Sequence, residues 1–487
     1  MLTKKYVIIA IIVLFTTPLK LRCQDKQSLQ KRIQNILQDT ALQYASVAFS
    51  AFNLSDSVAL INYNGNKSLV PASIQKVITT GVALETLDSN FRFSTRIGYR
   101  GNIQNGVLNG DLYVIGSGDP TIGSVYFNSK KGRFDFISQW ITLIKNAGIK
   151  SVKGRLIVDI SHFEDWPVVS TWTYEDLGNY YGAGIYGFMF NDNICELHFS
   201  SPAKFGEATS LKYIYPNVSG LQIDNRVKSG KGGDNAYVFM TPTSDRMIVR
   251  GDITAGKPDF VVKASIPNPP ALFAHIFAQA LDSAGISQTV SPFVSQTAAD
   301  TSLFNDIAII QSEKLSKIIE QTNFNSINLF AETLIKEIGW SKKGNGSVQD
   351  GLVSVYEFCR DRKINYRGIE LVDGSGLTRF NMMNCNFMVE YLKYFRYRSP
   401  YFSVFYNSLP VSGRDGTMES YGKKSVIAGK VHAKTGSMTR VKNLAGYIDT
   451  RSGKTVAFCF MANNYTCGGA KVKSLQEEIL RLIYEMY

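Results

Sequence analysis

The most informative stretch of this 487-residue chain is Pro71-Ala72-Ser73-Ile74-Gln75-Lys76-Val77-Ile78-Thr79-Thr80. Apolar residues continue after it at helical spacing as far as Leu87, so we predict that Ser73 lies at or near the start of a helix. Ser73 and Lys76 are three residues apart, which places them one turn apart on the same face. If that face is buried, the pKa of the Lys76 ammonium falls and the lysine can act as a neutral base beside the hydroxyl. The pattern therefore predicts a serine nucleophile that is activated without a histidine.

Two further motifs make this pattern specific, because a serine and a lysine at this spacing occur by chance in most long proteins. Ser326-Ile327-Asn328 is an S-x-N element, and Lys434-Thr435-Gly436-Ser437 is a K-T-G element. The three elements in this order are typical of penicillin-binding proteins and class A β-lactamases. We predict that the second element lies within a helical segment over 315–338 and the third on a strand.

The chain is too long for one ordinary hydrophobic core, so we expect two or three domains. From residue 93 to residue 299, short strands separated by Gly, Asn and Pro turns predominate, with one predicted helix over 267–286. We therefore predict a discontinuous domain over 24–92 and 300–487, and a β-rich region over 93–299 inserted between the first two motifs.

Strands are predicted at both ends of the discontinuous domain. Residues 44–54 and 58–63 form two apolar stretches around a polar turn. Three successive antiparallel strands are predicted over 431–436, 444–450 and 455–462, followed by a final helix.

The N-terminus has the pattern of a signal peptide. Lys4 and Lys5 precede an apolar run from Tyr6 to Thr17, which is too short to cross a bilayer. We expect residues 1–23 to be a signal peptide that exports the protein to the periplasm. The cleavage site, an uncleaved anchor and peripheral membrane association stay open.

The formal net charge is +13. This excess fits either a well-solvated exported protein or attraction to an anionic polymer such as a cell wall. No dense Lys/Arg run with interleaved aromatic residues occurs, so nucleic acid is not an expected partner.

Cysteines and histidines show no metal-binding spacing, since neither C-x-x-C nor H-E-x-x-H occurs. We expect no metal and no cofactor. One disulfide is compatible with the cysteines beyond residue 23, with Cys459 and Cys467 the nearest pair in sequence. These residues are Cys195, Cys359, Cys385, Cys459 and Cys467, and the histidines are His162, His198, His275 and His432.

Together these motifs resemble the class C low-molecular-mass penicillin-binding proteins, the D-Ala-D-Ala carboxypeptidase/endopeptidase family. The gap from Ser73 to Ser326 is much longer than in a class A β-lactamase, and the resemblance covers nearly all of the chain after residue 23. Ile327 departs from the polar residue that the family usually has there. Further matching stretches are Gly116-Ser117-Gly118-Asp119-Pro120, Asn191-Asp192-Asn193, Asp373-Gly374-Ser375-Gly376-Leu377-Thr378-Arg379, Leu409-Pro410-Val411-Ser412-Gly413-Arg414-Asp415-Gly416-Thr417-Met418 and Asn443-Leu444-Ala445-Gly446-Tyr447.

The resemblance implies an α/β fold of the penicillin-binding, β-lactamase-like type. A five-stranded antiparallel sheet flanked by helices is expected from 24–92 and 300–487. Two mainly-β domains are expected within the insertion at 93–299.

The resemblance also implies acyl transfer from a D-Ala-D-Ala peptide. Ser73 would attack the carbonyl carbon and Lys76 would take its proton. Ser326 would relay a proton to the leaving amine, and Asn328 would hydrogen-bond Lys76 and the substrate amide. Lys434 would add positive charge that keeps Lys76 neutral.

Substrate binding is expected around the third motif. The hydroxyls of Thr435 and Ser437 would bind the terminal carboxylate, and Gly436 would leave the sheet edge open for the substrate. Arg379 and Asp176 are candidates for the carboxylate and the ammonium of the diamino acid in the stem peptide, with a surface ion pair as the alternative for each.

The turn Asp373-Gly374-Ser375-Gly376 is expected to be structural and to position Ser326 or Lys434. The backbone N–H groups of Ser73 and Ser437 would form the oxyanion hole.

The expected partners are peptidoglycan stem peptides, with β-lactams as covalent inhibitors, and the oligomeric state stays open. One alternative is a β-lactamase or esterase, which needs a glutamate-held water for fast deacylation; Glu332 and Glu337 are its candidates. The other alternative is a wall-binding protein with an inactive site, which the intact set of motif residues disfavours.

Overall fold

The computed structural model of the chain describes residues 27–127 and 132–486. The predicted signal peptide at 1–23 lies outside these residues. The α-helices are α1 (27–37), α2 (Lys76–Leu87), α3 (Asp135–Asn146), α4 (Tyr174–Leu177), α5 (Pro269–Ser283), α6 (Leu315–Phe324), α7 (Asn328–Lys343), α8 (Val348–Asp361), α9 (Cys385–Arg398), α10 (Phe402–Asn407) and α11 (Gly469–Met486). The strands are β1 (Ser46–Asn53), β2 (Val58–Tyr63), β3 (Ser94–Gln104), β4 (Val107–Ile115), β5 (Ser151–Val152), β6 (Leu156–Asp159), β7 (Ile194–Ser200), β8 (Ser210–Tyr215), β9 (Gln222–Gly230), β10 (Tyr237–Phe239), β11 (Arg246–Thr254), β12 (Phe260–Ser265), β13 (Ser287–Gln288), β14 (Phe293–Ser295), β15 (Asn305–Gln311), β16 (Val431–Met438), β17 (Val441–Asp449) and β18 (Thr455–Asn463).

A five-stranded antiparallel sheet joins the two ends of the chain in the order β16-β17-β18-β1-β2. Strands β1 and β18 pair along their whole lengths, from Ser46 opposite Asn463 to Asn53 opposite Val456. The predicted sheet of the discontinuous domain is therefore present, and β16 with the K-T-G element lies at its edge.

Helices cover both faces of this sheet, because its side chains alternate between two apolar cores. Val47 and Phe49 of β1 pack with α1 and α11, whereas Ala48 packs with α2 and with α6 to α10. Cys459 and Met461 of β18 face the same core as Ala48. The sheet is thus buried between two helical layers, and the Ser73 segment lies on the α2 side.

The inserted region contains more helix than the sequence analysis predicted. Its largest sheet is mixed, with the order β13-β5-β4-β3-β15 and with β6 paired to β4 and β14. Strands β5 and β6 run parallel to β4, and a parallel pair requires a crossover connection, which α3 supplies. The signal for α3 was present in the spacing of Ile137, Trp140, Ile141 and Ile144, which are buried. Two three-stranded sheets, β12-β7-β8 and β10-β11-β9, complete the insertion.

The sheet of the insertion extends one strand beyond the predicted boundary at residues 299 and 300. Strand β15 pairs with β3, with Gln311 opposite Ser94, so the sheet of the insertion ends at Gln311. The stretch 287–301 carries the short strands β13 and β14. The division of the insertion into two subdomains stays a prediction.

The segment before Ser73 is fixed to the sheet by two buried asparagines. Asn443 of β17 donates its amide to the carbonyls of Val70 (2.9 Å) and Pro71 (2.7 Å). Asn463 of β18 accepts the N–H of Val70 at 2.7 Å. Ala72 then adopts a left-handed backbone (φ 47°), which is costly for a residue with a Cβ and needs such anchoring.

Within the described residues, no helix combines the length and the apolar character that crossing a membrane requires.

We expect Asn443→Ala to lower the free energy of unfolding by about 2 kcal/mol, because it leaves buried backbone groups without partners. Urea unfolding would measure this loss. Asn386→Ala, which removes a hydrogen bond to Asn66 at the surface, is the control and should change stability by less than about 0.5 kcal/mol. Equal effects of the two substitutions would contradict the anchoring role of Asn443.

Candidate active site

Ser73 and Lys76 come together at the start of α2, as predicted. Ser73 lies in a 3₁₀ turn over Ala72–Gln75, and Lys76 is the first residue of the helix. The ammonium nitrogen Nζ of Lys76 lies 3.1 Å from Ser73 Oγ, 2.6 Å from Asn328 Oδ1 and 2.7 Å from the carbonyl oxygen of Ser375. Lys76 is fully buried. All hydrogen-bonding capacity of the amine is therefore directed at these three oxygens.

Burial of the two motif lysines depresses their pKa values. Desolvation lowers the pKa of Lys76 to about 7, although the carboxylates of Asp373 and Glu332 act in the opposite direction. Burial also lowers the pKa of Lys434 well below its usual range, and the nearby charge of Lys76 lowers it further. Two like charges this close titrate as a pair, so a neutral amine is available near neutral pH.

Ser326 is held beside Lys434 by a break between two helices. The continuous helical segment predicted over 315–338 is interrupted at Ser326, which has a left-handed backbone (φ 58°). Lys434 Nζ donates to Ser326 Oγ at 2.9 Å and to the carbonyl oxygen of Thr435 at 2.9 Å. A non-glycine residue in this conformation is strained, which is common where a side chain must point into a site.

Asn328 begins α7 and joins the site to the insertion. Its Oδ1 accepts from Lys76, while its Nδ2 donates to the carbonyl oxygen of Tyr181 at 2.9 Å. Because a carbonyl can only accept, this contact fixes which end of the amide faces Lys76. No side-chain pattern marks the role of Tyr181, because it acts through its backbone carbonyl.

The turn at 373–376 positions Lys76, whereas the sequence analysis expected it to position Ser326 or Lys434. The Asp373 carboxylate accepts from the backbone N–H groups of Gly376 (2.7 Å) and Thr378 (2.8 Å) and from Trp172 Nε1 (3.0 Å). This network aims the carbonyl of Ser375 at Lys76. The sequence does not predict this role, because the acceptor is a backbone carbonyl that every residue type carries.

Strand β16 presents part of its outer edge to the site. Its first half is covered, because the N–H of Ala433 donates to the carbonyl of Pro410 at 3.0 Å. Backbone groups of a strand alternate in direction, so the N–H groups of Thr435 and Ser437 point the same way as that of Ala433. Ser437 is exposed, and its N–H is therefore directed at the cleft.

Gly436 permits close contact between β16 and the Ser73 segment. A Cβ at this position would lie 2.7 Å from the carbonyl oxygen of Pro71 and 3.0 Å from the nitrogen of Ile74. The missing side chain thus faces the backbone on either side of Ser73, which differs from the expected role of leaving the edge open to substrate. Any larger residue would push β16 away from Ser73.

These residues border one cleft of about 750 Å³. Ser73, Ser326, Asn328 and Ser437 line one part of it, and residues of the insertion line the other. Lys76 and Lys434 are fully buried beside it. The lining from the insertion includes Tyr126, Thr173, Glu175, Asp176, Tyr180, Tyr181 and Tyr237.

Arg379 and Asp176 both line this cleft, but they differ in how firmly hydrogen bonds within the protein hold their side chains. Arg379 is exposed and donates to the carbonyl of Thr439 at 3.3 Å. Asp176 accepts the hydroxyl of Thr173 at 2.6 Å, as part of the capping box of α4. Glu175, which the sequence analysis did not select, lines the same cleft.

Metal-ligating side chains do not converge in threes anywhere in residues 27–127 and 132–486. The five cysteines of this part of the chain are free thiols. Cys459, which the sequence paired with Cys467, interacts with Cys385.

Comparison with known proteins identifies the family. The chain belongs to the D-Ala-D-Ala carboxypeptidase 3 (S13) family, whose model matches residues 29–485. It is 29% identical over 457 residues to the D-alanyl-D-alanine carboxypeptidase of Actinomadura sp. (strain R39), covering 90% of this chain and 81% of that protein. It is 26% identical over 451 residues to D-alanyl-D-alanine carboxypeptidase DacB of Haemophilus influenzae, covering 91% and 90% of the two chains.

A solved structure supports the same fold. Penicillin binding protein 4 from Haemophilus influenzae aligns with a TM-score of 0.79 at 24% identity, over 93% of this chain and 99% of that chain. The family resemblance and the fold class predicted from the sequence are confirmed, and the chain is a serine-type D-Ala-D-Ala carboxypeptidase.

The buried lysine makes stability depend on pH. Because burial lowers the pKa of Lys76 from 10.5 to about 7, the unfolded chain binds a proton in this interval that the folded chain lacks. This group therefore destabilises the fold progressively as the pH falls from 10.5 to about 7. We expect the stability of Lys76→Met, relative to wild type, to be greater at about pH 7 than at about pH 10, with an upper limit of about 1.4 kcal/mol per pH unit.

Urea unfolding at several pH values in this range measures the difference. Lys342→Met, at an exposed position near the end of α7, is the matched control and should show a difference that is constant with pH. A pH-independent difference for Lys76→Met would show that its amine titrates normally in the folded protein.

Proposed function

We propose that the protein is an exported D-Ala-D-Ala carboxypeptidase and endopeptidase that acts on peptidoglycan stem peptides through an acyl-enzyme on Ser73 and is inhibited by β-lactams. The observation that carries this proposal is the 3.1 Å contact between Ser73 Oγ and the amine of Lys76. Lys76 is fully buried and its pKa is lowered to about 7. Membership of the S13 family supplies the reaction class.

The contacts of Lys76 favour its role as the base. A neutral amine has two N–H groups and one lone pair. The oxygens of Asn328 and Ser375 can only accept, so they take the two N–H groups. The lone pair is then left for the hydroxyl of Ser73, whose oxygen attacks the substrate carbonyl carbon as the proton moves to Lys76.

Ser326 and Lys434 are the proposed source of the proton that the leaving D-alanine takes up. The Ser326 hydroxyl lines the cleft and contacts Lys434 Nζ at 2.9 Å, so it can pass a proton to the amine nitrogen. Positive charge on Lys434 also favours the neutral form of Lys76 and attracts the terminal carboxylate. The hydroxyls of Thr435 and Ser437 are the proposed direct partners of that carboxylate.

The developing oxyanion is the proposed ligand of two backbone N–H groups, those of Ser73 and Ser437. The alternation along β16 directs the Ser437 N–H at the cleft. Each such donor stabilises a transition state by about 3–4 kcal/mol. A peptide lying along the edge of β16 as an added strand would bring its carbonyl to this point. Water then hydrolyses the ester on Ser73.

Recognition of the stem peptide is proposed for the side of the cleft opposite Ser73. The exposed guanidinium of Arg379 suits the carboxylate of a diamino acid. Asp176 suits its ammonium, although one oxygen is already bonded to Thr173, and Glu175 lies beside it in the same lining.

Three finer parts of the proposal have separate support. The sequence at 1–23 supports export. The cleft is bounded by both the penicillin-binding domain and the insertion, so it extends beyond a dipeptide and suits a cross-linked peptide. Penicillin binding protein 4 of Haemophilus influenzae has been solved in complex with a β-lactam, which supports β-lactam sensitivity.

The contacts of the two candidate glutamates disfavour a β-lactamase. Glu332 accepts the backbone N–H groups of Gly374 and Ser375, and Glu337 bonds to His162 at 2.8 Å. Neither residue lines the cleft, so neither holds a water against an acyl-enzyme.

Benzylpenicillin should form a stable adduct on the wild-type protein that maps to Ser73, because slow deacylation traps the ester. Intact-mass spectrometry measures it. Ser73→Ala should form no adduct, whereas Ser68→Ala, a surface serine five residues earlier, should behave as wild type. Unmodified protein with intact penicillin would indicate an inactive site, and unmodified protein with hydrolysed penicillin would indicate a lactamase.

Arg379→Ala should lower kcat/KM for a diamino-acid stem peptide about 10-fold or more, because it removes a charged hydrogen bond. Its rate of acylation by benzylpenicillin, which lacks that carboxylate, should stay within about twofold of wild type. Release of D-alanine, and cleavage of a cross-linked peptide dimer, provide the two assays. Arg360→Ala, which removes an exposed ion pair with Asp361, is the control. If the rates with the stem peptide and with benzylpenicillin fall equally, Arg379 maintains the shape of the cleft and does not bind the carboxylate of the diamino acid.

A further inference from the structure

One face of α7 carries a row of polar side chains, Asn328, Glu332 and Lys336, at intervals of four residues. Glu332 and Lys336 are buried to within 1% of their surface. Asn328 and Lys336 both contact the insertion. Lys336 donates to the carbonyl of Trp166 at 2.9 Å, and Asn328 donates to the carbonyl of Tyr181. A buried charge is strongly unfavourable unless it is compensated, so the partners of Glu332 deserve a physical explanation.

The carboxylate of Glu332 holds the peptide that contacts the catalytic lysine. Its Oε2 accepts the N–H of Gly374 at 2.9 Å, and its Oε1 accepts the N–H of Ser375 at 2.7 Å. The carbonyl of Ser375 is the one that accepts from Lys76. On the other side, Thr79 Oγ1 of α2 donates to the carbonyl of Gly374 at 2.6 Å. The peptide is thus clamped between two helices.

The clamp is tight because the turn lies directly against α7. A Cβ on Gly374 would lie 2.4 Å from the side chain of Ile335 and 2.8 Å from the carbonyl oxygen of Ala331. The turn therefore has no room to move towards α7, and Glu332 determines how its N–H groups are oriented.

We propose that Glu332 is a positioning residue for Lys76, which acts by orienting the Gly374–Ser375 peptide so that the carbonyl of Ser375 accepts from the amine. Glu332 does not line the cleft, so it acts through Lys76 and not on substrate. The inference rests on the proposed function, since it assumes that Lys76 is the base for Ser73.

The charges that face this amine come from three elements. Asp373 of the turn and Glu332 of α7 raise the pKa of Lys76, against the larger effect of burial. Lys434 of β16 is the remaining charged neighbour, and the two lysines repel each other. Glu332 itself has a pKa raised to about 8 by burial and by Asp373, and Lys336 lies one turn further along α7.

The test is the pH dependence of acylation by benzylpenicillin. Glu332→Gln removes the charge and turns an amide donor towards a backbone N–H, so the second-order rate should fall about tenfold or more. Where Glu332 is ionised its charge raises the pKa of Lys76, so the loss of this carboxyl group should move the acidic limb of the profile to lower pH. Glu332→Asp keeps the charge but is one methylene shorter, so it should lower the rate and leave the limb near its wild-type position.

Glu337→Gln is the matched control, because Glu337 is also buried on α7 but bonds to His162 and not to the turn. It should give the wild-type rate and profile. A wild-type profile for Glu332→Gln, or the same shift for Glu337→Gln, would overturn the inference. If Glu332→Gln does not fold, an unchanged rate for Glu332→Asp would overturn it. Failure of the proposed function is distinct, since wild type would then form no adduct at Ser73.

Discussion

The site depends on one amine that is held out of water by three oxygens. Lys76 contacts its own turn through Ser73, α7 through Asn328 and the turn at 373–376 through Ser375. Because water does not compete for these bonds, the positions of the three oxygens determine both the direction of the lone pair and the ease of losing a proton. The contact of Asn328 with Tyr181 and the network around Asp373 fix two of these oxygens, and Asp373, Glu332 and Lys434 adjust the charge around the amine.

The insertion takes part in this arrangement, although it contributes neither Ser73 nor Lys76. Trp172 donates to Asp373, which shapes the turn, and the carbonyl of Tyr181 fixes the amide of Asn328. On the same face of α7, two turns after Asn328, Lys336 donates to the carbonyl of Trp166. The surroundings of Lys76 are therefore shaped by two parts of the chain that are far apart in sequence.

The features predicted correctly from the sequence are those that a local residue pattern determines. The sheet strands, α2 and the three motifs follow from alternation, helical spacing and side-chain chemistry, and the structure brings Ser73, Lys76, Ser326, Asn328 and Lys434 together. The position of Gln311 in the insertion's sheet was missed, because strand pairing is a tertiary property. The break at Ser326 and the carbonyl of Ser375 were missed for a related reason, since tertiary contacts impose the left-handed backbone of Ser326 and every residue type carries a backbone acceptor. Only α3 had a readable signal that was overlooked.

The pairing of β3 with β15 means that the insertion begins and ends at neighbouring points of one sheet. Ser94 and Gln311 lie opposite each other, so their Cα atoms are about 5 Å apart and a single residue could bridge them. The backbone geometry would therefore allow the residues between Ser94 and Gln311 to be deleted and the two ends to be joined. The polar contacts do not allow it, because a shortened chain would leave Asp373 without its indole donor and Asn328 free to turn its amide around. The insertion is thus dispensable for the connectivity of the chain but not for the hydrogen bonds around Lys76.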